Sequence, residues 1–154
     1  MTEPIDTTTL VERLQSVQSQ LKAPKGQKNK FGNYNYRSAE DILEALKPLL
    51  AINGLALIIT DDIVDIAGRV YVKAKATLWL DDKAWMPFAE STGFAREALT
   101  KKGMDDAQIT GSASSYARKY ALNGLLCIDD TKDPDATNKH DSLPKLTTKQ
   151  ESGF

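Results

Sequence analysis

Two stretches of this chain combine residue types and spacings that suit chemistry. The first, residues 103–135, reads GMDDAQITGSASSYARKYALNGLLCIDDTKDPD. Ser115, Tyr116, Arg118, Lys119 and Tyr120 stand at its centre, and Asp129, Asp130, Asp133 and Asp135 close it. Side chains three and four apart on a helix are neighbours, so Tyr116 and Tyr120 share a face and Ser115 and Lys119 make an adjacent pair. Arg118 and Lys119 offer a cationic edge to phosphates, although a plain amphipathic helix has the same pattern. The aspartates invite a metal reading. Asp129, Thr131 and Asp133 have the one-three-five spacing of a calcium loop, but Pro134 stands where that loop needs glycine and His140 where it needs glutamate. A metal-dependent nuclease using the Asp129–Asp135 cluster stays as the alternative function; a solvated acidic turn is the plain reading.

The second stretch is KAPKGQKNKFGNYNYR, residues 22–37, with five basic residues and no acidic one. Phe31, Tyr34 and Tyr36 interleave with Gly26, Gly32 and several asparagines. It reads as a loop, either solvated and pinned by its aromatics or in contact with nucleic acid. In the second case the lysines neutralise phosphates and the aromatic faces stack on bases, at roughly 1–3 kcal/mol per base.

Other chemistries find no support. Ser112, Ser114 and Ser115 have no credible histidine partner, because the single histidine, His140, lies in the polar tail. No Gly-x4-Gly-Lys loop supports ATP use. One histidine and one cysteine are too few for a zinc site. No catalytic residue, metal or cofactor is therefore expected. The net charge of −1 leaves only local basic patches for a polyanion. Cys127 has no internal disulfide partner and, in an apolar run, is expected to be a small buried hydrophobe. That suits a reducing cytoplasm. No apolar run approaches the ~20 residues of a membrane span, and no signal segment is seen.

These residues need elements to position them. At 154 residues the chain is one domain plus a tail. Leu10, Leu14, Val17 and Leu21 mark a first helix from Thr8 or Thr9, with Thr9 and Glu12 as capping box and Pro24 as terminator. Ser38 and Asp41 cap a second, from Ala39 to about Ile52, with Ile42, Leu43, Leu46, Leu49 and Leu50 inward and Gly54 closing it. Pro48 should kink or loosen it. Three strands follow: Leu55 to Thr60, then Val70 to Trp79 in strict alternation, then Ala84 towards Phe94. Turns are expected at Asp65 to Arg69 and at Asp81-Asp82-Lys83. From Asp105 a helix carries a small-residue stripe, Ile109, Ala113, Ala117, Ala121 and Leu125, which allows close approach to a sheet. The fold expected is α+β: a three-stranded antiparallel β-meander packed with helices, over residues 1–135. Residues 136–154 read as a polar, disordered tail that could serve as a partner-binding arm.

Gly111-x-x-x-Ser115-Tyr116-x-Arg118-Lys119-Tyr120, followed by Asp129-Asp130, Asp133 and Asp135, resembles the signature of the ERF (essential recombination function) family of bacteriophage single-strand annealing proteins. Ala23-Pro24-Lys25, Phe31-Gly32-Asn33-Tyr34-Asn35-Tyr36-Arg37-Ser38 and Leu46-Lys47-Pro48 support the match, which covers residues 8–135. Lys119 departs from the arginine more frequent in the family and weakens bidentate phosphate recognition. The tail is shorter than in members with a further C-terminal region. The resemblance implies a β-β-β-α core, single-stranded DNA binding, strand annealing without ATP in phage homologous recombination, and homo-oligomeric rings or helical filaments. It makes Lys25, Lys28, Lys30 and Arg37 loop cations and Tyr34 and Tyr36 stacking residues. Arg96, Lys101, Lys102, Arg118 and Lys119 become phosphate contacts, Tyr116 and Tyr120 are structural first, and the tail is a candidate contact for a single-strand-binding protein.

Overall fold

In the computed structural model, which describes residues 7–80 and 86–129, the chain is α+β, with three helices and two antiparallel sheets. Helix α1 (Thr7–Gln20) is followed by a small hairpin of β1 (Gln27–Asn29) and β2 (Tyr34–Tyr36). Helix α2 (Ala39–Asn53) leads into β3 (Leu55–Ile66), β4 (Arg69–Leu80) and β5 (Met86–Arg96), which pair in that order, and α3 (Asp106–Leu126) closes the fold.

Helix α2 starts where its cap dictates. The Ser38 hydroxyl accepts from the Asp41 N–H at 3.1 Å, and the Asp41 carboxylate accepts from the Ser38 N–H at 2.8 Å. Gly54 ends the helix in the left-handed region (φ 63°), which glycine enters without steric cost. The helix runs on past Pro48 to Asn53. The bond from the Ser38 N–H, first among the causes, holds the Asp41 carboxyl below its ordinary value of 3.8. A depressed carboxyl stabilises the folded state above the unfolded value and stops doing so as pH falls through the folded one. Ser38→Ala should therefore cost about 1 kcal/mol at pH 7 in a denaturant titration. Asp41→Asn should remove part of the stability lost by the native protein below about pH 4.

The long sheet has one apolar face. Val72, Ala74, Ala76, Leu78 and Leu80 of β4 are buried and alternate with the half-exposed Tyr71, Lys73, Lys75, Thr77 and Trp79. Ile42 and Leu46 of α2, Leu10 and Val17 of α1, and Leu122 and Leu126 of α3 complete the core. Burial of each such side chain contributes about 1.5–3 kcal/mol.

Four expectations need correction. Residues 27–36 are a hairpin, not a loop. Strand β3 continues past Thr60 to Ile66, and the turn tightens to Ala67-Gly68. An edge strand keeps one side in water, so Asp61, Asp62 and Asp65 do not end it. Helix α1 begins at Thr7, so Thr9 lies inside it rather than at its cap. Cys127 is exposed, because α3 stops at Leu126 and Cys127 caps it with a left-handed backbone (φ 57°). The turn at Asp81-Asp82-Lys83 and the tail lie outside the described residues.

Candidate nucleic-acid interface

The centre of the site is the seat of α3. Asp105 caps this helix: its carboxylate accepts from the Gln108 N–H at 2.9 Å, and the Gln108 side chain accepts from the Asp105 N–H at 3.0 Å. Ile109, Ala113, Ala117, Ala121 and Leu125 face the sheet, as the stripe predicted. The register aligns the smallest rungs beneath them: Asp61 opposite Ala74 opposite Gly93, then Ile59 opposite Ala76 opposite Ser91. A Cβ on Gly93 would lie 2.2 Å from the Ala117 carbonyl oxygen and 2.4 Å from the Ala121 nitrogen. A Cβ on Gly124 would lie 2.4 Å from the Ser91 hydroxyl. Helix and sheet therefore meet backbone to backbone, and the larger polar side chains of α3 emerge along its flanks.

On one flank an open groove of about 340 Å³ is lined by Phe94, Arg96, Lys101, Ser112, Tyr116 and Tyr120, among others. The Tyr116 and Tyr120 rings stack at 6.5 Å with a 27° tilt. Among the described residues neither Arg96 nor Lys101 has an ion-pair partner. On the other side of Tyr116 a crevice of about 130 Å³ runs beneath the hairpin, lined by Tyr36, Arg37, Ser38, Ala39, Ser115, Tyr116 and Lys119. Tyr34 and Tyr36, two apart on β2, share a face and meet edge to face at 6.3 Å. Partial burial, and then the neighbouring phenols of Tyr34, Tyr120 and Tyr36, push the Tyr116 hydroxyl above its ordinary 10.0. Tyr116 is thus neutral at physiological pH, with cations at the margins of the groove.

The structure parts Arg118 from Lys119. Consecutive helical residues diverge by about 100°, and the two side chains do not form one edge. Arg118 turns towards β3, where Nε donates to the two Asp61 oxygens at 3.1 and 3.2 Å and Nη2 to Oδ2 at 3.1 Å. The Ser114 hydroxyl donates to the same carboxylate. Lys119 is buried, with Nζ 5.7 Å from the centre of the Tyr36 ring, a cation–π contact that fastens the hairpin to α3. Both side chains are thus engaged with neighbouring elements, Arg118 with β3 and Lys119 with the hairpin.

The remaining predicted residues are spread out. Lys25, Lys28 and Lys30 are exposed along the hairpin, Lys28 on the face away from the tyrosines, and Lys102 is exposed beyond the groove. Gly111 lies on an open face of α3, where a Cβ would meet nothing. Asp129 is exposed after α3; Asp130, Asp133 and Asp135 lie outside the described residues. Among the described residues no three His, Cys, Asp or Glu side chains gather to hold a metal. No helix there is long and apolar enough to cross a membrane.

A strand ending at Thr60 leaves Asp61 outside it with no signal for a site, whereas β3 runs as far as Ile66 and sets Asp61 against α3. Phe94 and Ser112 of the groove carried no signal of their own. The hairpin had one: four residues, Lys30-Phe31-Gly32-Asn33, containing a glycine and separating two short runs.

Comparison with known proteins bears on the same segments. A family model described as the ERF superfamily matches residues 10–152. The "Essential recombination function protein" of Salmonella phage P22 is 55% identical over 128 residues, which is 83% of this chain. The chain spans 59% of the length of that relative.

Proposed function

The chain belongs to the ERF superfamily, and with that membership we propose that it acts in phage homologous recombination by binding single-stranded DNA and pairing complementary strands without ATP. The observation that carries this reading is the convergence of Arg96 and Lys101 with Tyr116 and Tyr120 in one groove, beside the crevice of Tyr36, Arg37 and Lys119. Cations along a strand release counterions, and aromatic faces accept any base. Such a surface grips a strand without regard to sequence, as annealing of arbitrary complements requires.

The protein works as a binding device, with no catalytic residue and no cofactor. Each subunit supplies a short groove, and a ring or helical homo-oligomer joins these grooves into one track. Assembly multiplies the local positive patch, which reconciles strand binding with a net charge of −1. Strands β3, β4 and β5 followed by α3 constitute the β-β-β-α core of the annealing domain, residues 1–135. The tail, residues 136–154, is a candidate contact for a single-strand-binding protein, and the site of action is the bacterial host cytoplasm.

The test mixes complementary labelled strands with the protein, without ATP. Faster pairing than in buffer is expected, with single-strand affinity that falls as salt rises at a slope of about −0.7 per phosphate contact. Unchanged pairing would overturn the reading. Shortening of the labelled strands when magnesium is added would favour the nuclease alternative built on Asp129, Asp130, Asp133 and Asp135.

A further inference from the structure

We infer that Phe31, at the apex of the β1–β2 hairpin, is a wedge that inserts between neighbouring bases of the bound strand and interrupts their stack. The inference rests on the single-strand-binding reading above and assigns a residue to it.

Three observations carry it. Among the described residues Phe31 is the most exposed of the large apolar side chains, at 103% of its reference area, so none of the described chain covers it. A lone exposed apolar residue is ordinary, but the backbone beneath this one is built to hold it out. The Asn29 side-chain oxygen accepts from the Phe31 N–H at 2.9 Å and the Gly32 N–H at 3.1 Å, while its Nδ2 donates to the Tyr34 hydroxyl at 2.9 Å. Gly32 lies under the Tyr34 ring, where a Cβ would come within 2.3 Å, and Asn33 takes a left-handed backbone (φ 49°). The turn is thus ordered by its own side chains rather than by folding Phe31 onto the core.

The second observation is charge. Lys22, Lys25, Lys28, Lys30 and Arg37 surround the apex in sequence, and residues 22–37 contain no carboxylate. An apolar protein pocket would have to desolvate these cations, whereas a nucleic acid neutralises them with its phosphates and also presents flat apolar base faces. The third is the fate of the other rings. Tyr36 is engaged by Lys119, and Tyr34 is tied to Asn29 and packed on Gly32. The base-stacking role expected of these tyrosines therefore passes to Phe31. Apolar side chains on nucleic-acid-binding proteins unstack base steps in this way. A wedge in each subunit would divide a bound strand into short stacked segments, with base edges open to a complement.

The test uses the full-length protein and an oligonucleotide carrying 2-aminopurine, whose fluorescence rises on unstacking. The native protein should raise the signal. Phe31→Ala should lose that rise and weaken binding about 5- to 150-fold, with the slope of affinity against salt unchanged because no cation is removed. Phe31→Trp should keep both. Native affinity and a native fluorescence rise in Phe31→Ala would overturn the wedge and leave strand binding standing. Failure of the native protein to bind any single strand would overturn the binding reading, and the wedge with it. A smaller particle for Phe31→Ala in sedimentation without DNA would place the ring in a second copy of the chain and likewise overturn the wedge.

Discussion

Gly93→Val should destabilise the protein by about 3 kcal/mol or more, whereas Gly111→Ala should stabilise it by about 0.5–1 kcal/mol. Both residues are glycines, yet their surroundings are opposite. Gly93 is buried in β5 beneath α3, and the first atoms a new Cβ would strike are backbone: the Ala117 carbonyl and the Ala121 nitrogen. A side chain can change rotamer to relieve such a clash, but a helix backbone can only move away. Movement of α3 would open the Ala113–Ala117–Ala121 contact and expose Val72 and Leu122, which are now buried. Gly93→Ala should show a smaller loss, about 1–3 kcal/mol. Gly111 lies within α3 with nothing near its missing side chain, so alanine there only reduces the conformational freedom of the unfolded chain. Denaturant titrations of the variants check the signs. A native midpoint for Gly93→Val would refute the backbone-to-backbone seat.

The second large effect concerns the groove. Replacing Arg96 and Lys101 together by alanine should lower the affinity for a single strand spanning two subunits by several hundred-fold at 0.1 M salt. The counterion term makes each phosphate contact worth about fivefold there, and four contacts are lost. The slope against salt should flatten by about 0.7 for each contact removed. Arg118→Ala should behave differently. Its guanidinium is already bound bidentately by Asp61, so its removal should change the slope little and instead loosen α3 from β3. Asp61→Asn should release the guanidinium and steepen the slope. Fluorescence anisotropy over a salt series, with circular dichroism on each variant, separates the two outcomes. An equal flattening by Arg118→Ala would return Arg118 to the phosphate contacts.

Much of this arrangement was legible in residue order. The Ser38–Asp41 cap, Gly54, the alternation of Val72 to Leu78 and the small stripe from Ile109 to Leu125 are local or periodic patterns, and each lies where it was expected. The Gly111-to-Tyr120 part of the family signature lies on the same helix. The interface was legible only in part. Tyr36, Arg37, Arg96 and Lys101 were named as candidates, and the structure brings them around one helix beside Tyr116, which was expected to be structural first. Residue type alone did not show that Asp61 engages Arg118, that Lys119 lies against the Tyr36 ring, or that Phe31 stands fully exposed. Arginine and lysine look equally available in a sequence, while a phenylalanine looks like core.

The chain by itself determined its helices, its alternating strand, the caps that begin α2 and α3, and its membership of a family, because these depend on neighbours within a few residues. Tertiary structure decided which cations remain open, which aromatic is exposed and which glycine cannot be replaced. Those properties depend on partners 50 or more residues away in the case of Asp61 with Arg118, and on a sheet register that sets Gly93 against Ala117. No local pattern encodes such pairings; they exist only once the backbone of α3 lies on the sheet.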